Sequence, residues 1–146
     1  GGKIGVLVEV NCESDFVART EDFKERIHDI AMHIAASDPK YVRKEDVTPE
    51  AYAREKEIYL DQAIRSGKPA NIAEKMVAGK MEKFYEEVCL LEQPFIKDQT
   101  VSIGQLIATK VGKLGENIAV RRFARFKVGD AGETIAVTKP TEQKAE

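Results

Sequence analysis

Ile4-Gly5-Val6-Leu7-Val8-Glu9-Val10-Asn11-Cys12-Glu13-Ser14-Asp15-Phe16-Val17-Ala18-Arg19 is the stretch on which the fold turns. Its first half is rich in β-branched residues. Side chains on a strand alternate with a period of two, so residues 3–11 place Ile4, Val6, Val8 and Val10 on one face. Asn11 ends the strand and can cap a short turn or helix from Cys12 to Arg19. A second alternating run, Ile118 to Val128, closes the regular part of the chain. Its pattern predicts Ile118, Val120, Ala124, Phe126 and Val128 on the core face, with Arg121, Arg125 and Lys127 opposite. Paired antiparallel, the two runs bring the end of the first beside the start of the second. Two strands alone are marginal. A third is needed from sequence preceding Gly1, from the tail or from a partner chain.

Helices fill the interval. Thr20 to Ala36 carries Phe23, Ile27, Ile30 and Ile34 at helical spacing and is stopped by Asp38-Pro39. Thr48-Pro49 starts a second helix, a capping hydroxyl followed by proline at the first helical position, which ends near Ser66-Gly67. Pro69 opens a third running to about Leu91, with Ile72, Met76, Val77, Met81, Phe84, Tyr85 and Val88 as its stripe. The short Ser66-Gly67-Lys68 link makes these two an antiparallel hairpin. Gln93-Pro94-Phe95 reads as a loop. Ser102 and Gln105 form a capping box for a fourth helix, with Leu106, Ile107, Val111 and Leu114 facing inward and Gly115 as its left-handed stop. The expected class is α+β in two layers. A small antiparallel sheet of about three strands packs against α-helices, with a long helical hairpin. Residues 1–129 form the ordered domain and 130–146 a polar C-terminal tail, mobile toward its end.

The 146 residues are 42% hydrophobic and 33% charged, with a mean hydropathy of −0.37. A domain of this size buries about 70% of its unfolded surface and needs no disulfide or metal staple. Twenty-three Lys and Arg against 25 Asp and Glu leave a net charge of −2. That balance excludes a general nucleic-acid binder, whose affinity rests on neutralising phosphates. Cys12 and Cys89 sit in apolar sequence without a metal-ligand spacing and read as small buried hydrophobes. No apolar run approaches the ~20 residues of a membrane span, and the expected location is the cytoplasm or an organelle matrix.

Catalytic patterns are missing. His28 and His33 are not the i, i+4 pair of a metal-binding helix and read as partly exposed surface residues. Gly112-Lys113-Leu114-Gly115 follows a helix and lacks the phosphate-loop spacing, so a helix cap explains it. No nucleophile, base and orienting group assemble, and neither a cofactor nor a metal site is expected. Arg121-Arg122-Phe123-Ala124-Arg125-Phe126 interleaves basic and aromatic residues as single-strand RNA readers do. A two-faced strand with buried Phe126 and exposed Arg121 and Arg125 gives the same pattern with no ligand.

Phe16 is the residue of interest. It sits just beyond a strand end among Glu13, Ser14 and Asp15, and periodicity allows either a core anchor or an exposed tip offered to a partner. The segment Gly5 to Arg19 closely resembles the motif of the elongation factor Ts family, whose hallmark is Thr-Asp-Phe-Val. Here it reads Ser14-Asp15-Phe16-Val17, and both hydroxyls can cap the turn. The likeness continues through Ala31 to Ala36, Ser66-Gly67-Lys68-Pro69, Ile72 to Val77, Glu92-Gln93-Pro94-Phe95, Gly115-Glu116-Asn117-Ile118 and Arg121-Arg122-Phe123. It covers roughly residues 2–129 in unbroken order.

This resemblance implies a non-enzymatic guanine nucleotide exchange factor, partnering elongation factor Tu in its GDP-bound and nucleotide-free states. It implies that Asp15-Phe16 enters the partner near its magnesium site. Partner contacts are implied at Ser14, Asp15, Phe16, Val17, Leu114, Gly115 and Asn117. Compact, single-core family members work as dimers, so a homodimer is a further expectation, residues 1–129 being the core and dimerisation domain. No membrane or direct nucleic-acid partner is expected. Family members begin with a small helical domain that this sequence does not contain, so reduced affinity and exchange activity are expected. Two rival readings stand beside this one: an RNA-binding sheet using Arg121, Phe123 and Arg125, and a purely structural module built on the hairpin.

Overall fold

The computed structural model describes residues 1–139. The first alternating run is β1 (Ile4–Asn11), followed by a single helical turn, α1 (Asp15–Ala18). Three helices follow: α2 (Glu21–Ser37), α3 (Pro49–Arg65) and α4 (Ala70–Val88). Short strands β2 (Pro94–Phe95) and β3 (Asp98–Ser102) lead into α5 (Ile103–Leu114). β4 (Ala119–Lys127) and β5 (Thr134–Val137) complete the described chain. β1, β4 and β5 form one antiparallel sheet in that order, and β2 with β3 form a second. The class is α+β. The third strand comes from the segment read as tail; the mobility expected at the tail's end concerns residues 140–146, outside the described residues.

Local chemistry sets most helix ends. Thr20, Thr48 and Ser102 side chains accept from the backbone N–H of Phe23, Ala51 and Gln105, and Gln105 returns a bond to the Ser102 N–H. Gly115 closes α5 at φ 66°, in the left-handed region where glycine carries no steric penalty. One cap and one boundary differ from expectation. Asn11 ends β1 opposite Ala119 as expected, but Ser14 and not Asn11 caps α1. α4 stops at Val88 rather than near Leu91. Cys89 turns extended to bridge Tyr41, and the Leu90 N–H donates to the Tyr41 carbonyl at 2.8 Å. That bend delivers Leu90, fully buried, to the main core, and the segment expected as a loop becomes the β2–β3 pair.

The sheet corrects the expected faces of β4. In the ladder Glu9 lies opposite Arg122 and Val10 opposite Val120, so Arg121 is an extra residue, a β-bulge. One inserted residue reverses the parity of everything after it. Phe123 is therefore 2% exposed and Arg125 is buried, whereas Phe126 is 53% exposed and Val128 lies in solvent. Phe126, expected inside, is outside; Arg125, expected outside, is inside. An RNA-reading face built on Arg121, Phe123 and Arg125 is not formed. Phe123 is core, and the Arg125 guanidinium donates from Nη2 to the Ala35 carbonyl at 3.0 Å and pairs with Asp38 at 3.3 Å. Arg125 thereby satisfies a carbonyl in the last turn of α2, where positive charge also suits the helix dipole.

The main core joins Ile30 and Ile34 of α2, Leu90, Ile103 of α5, and Val120 and Phe123 of β4. A second cluster along the inside of the hairpin joins Ala63, Val77, Met81 and Phe84. Elsewhere on the hairpin Ile58, Leu60, Ile64 and Ile72 are exposed, Ile72 despite its place in the predicted stripe. His28 is a surface residue as expected, but His33 is fully buried. Its Nδ1 accepts from the Ile96 N–H at 3.2 Å, so Nε2 carries the proton and donates to Gln93 Oε1 at 2.9 Å. Cys89 is buried, which pushes its thiol up to about 12, but Cys12 is half-exposed rather than buried. Among the described residues no helix is long and apolar enough to cross a membrane.

Candidate functional site

The pairing of β1 with β4 decides where the site is. Asn11 at the end of β1 meets Ala119 at the start of β4. The chain leaving β1 and the chain entering β4 therefore lie on one edge of the domain. The first carries Glu13 to Ala18 and the second Leu114 to Asn117.

On the leaving segment the Ser14 side chain accepts from the Val17 N–H at 3.4 Å, starting α1. Thr20 closes it, its hydroxyl donating to the Val17 carbonyl at 2.8 Å while capping α2. Val17 points inward and is buried; Phe16 points outward and is 81% exposed, beside exposed Asp15. Phe16 is thus a tip and not a core anchor, and Val17 does the anchoring. A large aromatic side chain left this exposed contributes little to folding and is available to a partner's pocket.

On the entering segment α5 ends with Leu114 partly exposed. Gly115 reverses the chain, which returns Glu116 and Asn117 toward the first segment. The Ser14 hydroxyl donates to Glu116 Oε1, and Asn117 Nδ2 donates to Glu13 Oε1 at 2.9 Å. All seven residues singled out in the sequence therefore sit on this one edge: Ser14, Asp15, Phe16, Val17, Leu114, Gly115 and Asn117. Glu13 and Glu116 belong to it as well. Nothing in their spacing marks them, because the bonds join residues 104 and 102 positions apart in sequence.

The opposite face of the sheet forms a second surface. Leu7, Ala124 and Ile135 align across the three strands, with Phe126 opposite Gly5 and Val137 beside Arg122. Leu7 and Ile135 are largely exposed. Charge enters this face at Glu9, whose carboxyl the hydrogen bond from Arg122, at 2.6 Å, holds below the usual carboxylate range.

Comparison with known proteins gives a consistent picture. The profile of the family described as Elongation factor TS matches residues 1–130. The chain is 77% identical over 143 residues to the elongation factor Ts of Koribacter versatilis, covering 98% of this chain and 65% of that protein. It is 63% identical over 126 residues to that of Solibacter usitatus and 57% identical over 126 residues to that of Alkaliphilus oremlandii. In both, 86% of this chain is covered, with 59% and 58% of the relative. The chain thus spans about three-fifths of the length of the curated relatives it matches (65%, 59% and 58%).

Proposed function

The chain belongs to the elongation factor Ts family, and on that footing we propose that it acts in translation by making elongation factor Tu release GDP. The observation that carries the proposal is Phe16, an aromatic ring 81% exposed on a capped and anchored turn, with Asp15 beside it. Phe16 is the wedge. Asp15 engages the partner segment that the wedge displaces, and Leu114, Gly115 and Asn117 extend the contact along the same edge. Ser14 and Val17 serve from beneath, one capping the turn and the other anchoring it.

The mechanism is linkage rather than chemistry. Magnesium bridges a bound nucleotide's phosphates to the protein that holds it. A wedge that separates the groups around that ion weakens GDP and magnesium together. By reciprocity GDP weakens binding of the wedge by the same factor. GTP rebinding then ejects the exchange factor. No covalent step is required of any residue in this chain. We assign a second copy of the chain to the outer sheet face, where the Leu7-Ala124-Ile135 row and Phe126 offer one apolar layer to another.

The test is stopped-flow release of labelled GDP from elongation factor Tu. The chain is expected to accelerate release. Phe16→Ala should lose about two orders of magnitude of that effect, as removal of a central aromatic anchor does, with circular dichroism and thermal midpoint unchanged. An equally active Phe16→Ala variant would remove the wedge from the mechanism. Concentration-dependent mass with no effect on GDP release would instead make the chain a structural module.

A further inference from the structure

Phe16 does not hold itself in place. A single turn of helix is not stable alone in water, and an exposed ring adds no packing. Val17 fixes one side of the turn, and the Ser14 cap fixes its start at a long 3.4 Å. The remaining restraint crosses from the α5–β4 turn.

A hydroxyl has one proton to give and lone pairs to accept with. Glu116 accepts the hydrogen bond from the Ser14 hydroxyl, which leaves the lone pairs of the same oxygen for the Val17 N–H. The charged acceptor also strengthens the cap, since hydrogen bonds to ionised groups are stronger and polarise their neighbours. Asn117 to Glu13 makes a second tie between the same two segments, one residue along from the first on each. Gly115, at φ 66°, provides the reversal that aims both residues back at α1. The arrangement is not explained by stability. Glu116 Oε2 is buried without a hydrogen-bond partner, an arrangement that costs stability.

We propose that Glu13, Ser14, Glu116 and Asn117 form a clasp that presets the position of Asp15-Phe16 relative to Leu114-Gly115, with Glu116 as its principal positioning residue for nucleotide exchange. The clasp rests on the reading of Phe16 as the wedge. Its effect is preorganisation. The turn reaches the partner already ordered, and both contact segments move as one body. It also accounts for a hydroxyl at position 14. Aspartate caps a helix equally well but cannot donate to Glu116.

Glu116→Ala and Ser14→Asp separate the clasp from the cap and from the fold. Ser14→Asp keeps an acceptor for the Val17 N–H but sets a second carboxylate against Glu116. Both variants should lower kcat/KM for GDP release roughly tenfold to a hundredfold, the range a misplaced contact group costs. Their thermal midpoints should stay near that of the parent chain. Glu116→Gln, which still accepts from the hydroxyl, should recover most of the loss. In a Phe16→Ala background the effect of Glu116→Ala should shrink severalfold, because the main contact that the clasp positions is already gone. In the free chain, amide hydrogen exchange should quicken at Phe16 to Ala18 and nowhere else.

An active parent chain with an equally active Glu116→Ala variant overturns the clasp and leaves the wedge standing. An undiminished effect of Glu116→Ala in the Phe16→Ala background reduces Glu116 to a structural residue and overturns its positioning role. A parent chain that releases no GDP overturns the wedge reading and the clasp with it.

Discussion

His33 and Arg125 both place polar side chains where the hydrophobic pattern offered no warning. Each is buried because every group it brings is met. His33 has both ring nitrogens bonded, and Arg125 meets a helix-end carbonyl and a carboxylate. Burial holds His33 below the ordinary histidine value of 6.5, even though its Gln93 bond pulls the other way. The folded chain therefore binds this proton less readily than the unfolded chain. Stability from His33 is complete above the unfolded value and declines as pH falls through it toward the lowered folded value. Urea midpoints taken from about pH 7 down to 5.5 should fall with pH, and His33→Gln should flatten that slope. A parallel decline in both proteins would show that His33 is not the titrating group. Neither residue's burial was legible in advance. Helical spacing put His33 one residue from Ile34, on the margin of the stripe, and strand alternation put Arg125 outside.

At the scale of elements, caps were legible because they are local. A hydroxyl at Thr48 or Ser102 and the N–H it accepts from lie three residues apart, whatever the rest of the chain does; Thr20, read as the first helical residue, is itself a cap. What α5 packs against is not local. A Cβ on Gly104 would come 2.9 Å from the Leu91 carbonyl oxygen, backbone that cannot swing away. Gly104→Ala should push the first turn of α5 off the Leu90–Glu92 segment and cost about 1–3 kcal/mol, as other overpacked sites do. The measurement is a denaturant midpoint, and an unchanged midpoint would mean that α5 shifts freely. A larger consequence falls at the other end of α5, which carries Leu114 and Gly115 to the edge beside α1. The end of α4 shows the same limit on local reading. Apolar spacing runs on to Leu91, but burial of Leu90 and the bond to Tyr41 break the helix at Cys89.

For the whole molecule the sheet separates two surfaces. Its inner face joins the main core, and its outer face keeps Leu7, Phe126, Ile135 and Val137 exposed. If a second copy covers that face, charges placed there should disperse the pair without unfolding either member. Leu7→Glu with Ile135→Glu should reduce the sedimenting mass to that of one chain and leave the circular dichroism spectrum intact. A double variant that remains dimeric would place the interface elsewhere. β5 is required for this surface. It supplies Ile135 and Val137, pairs with β4 from Arg122 to Arg125, and itself lies beyond the residues matched by the family profile.

Composition, period and local capping, together with an unbroken family motif, were enough to give the class, the first and fourth strands of the chain, the helices and the hairpin. These properties depend on neighbours within a few positions along the chain, or on a pattern that can be matched position by position. The exposure of Phe16, the inward turn of Phe123 and Arg125, the pairing of β5 and the Ser14–Glu116 bond required the folded chain. Phe16 and Val17 are equally apolar, and only the direction of a capped turn over a finished core separates them. A single bulge at Arg121 reverses a whole strand, and alternation cannot count a residue that skips its partner. The turn after the stretch from Ile4 to Val10 is tied in place by residues a hundred positions away, brought beside it by the antiparallel pairing of β1 with β4.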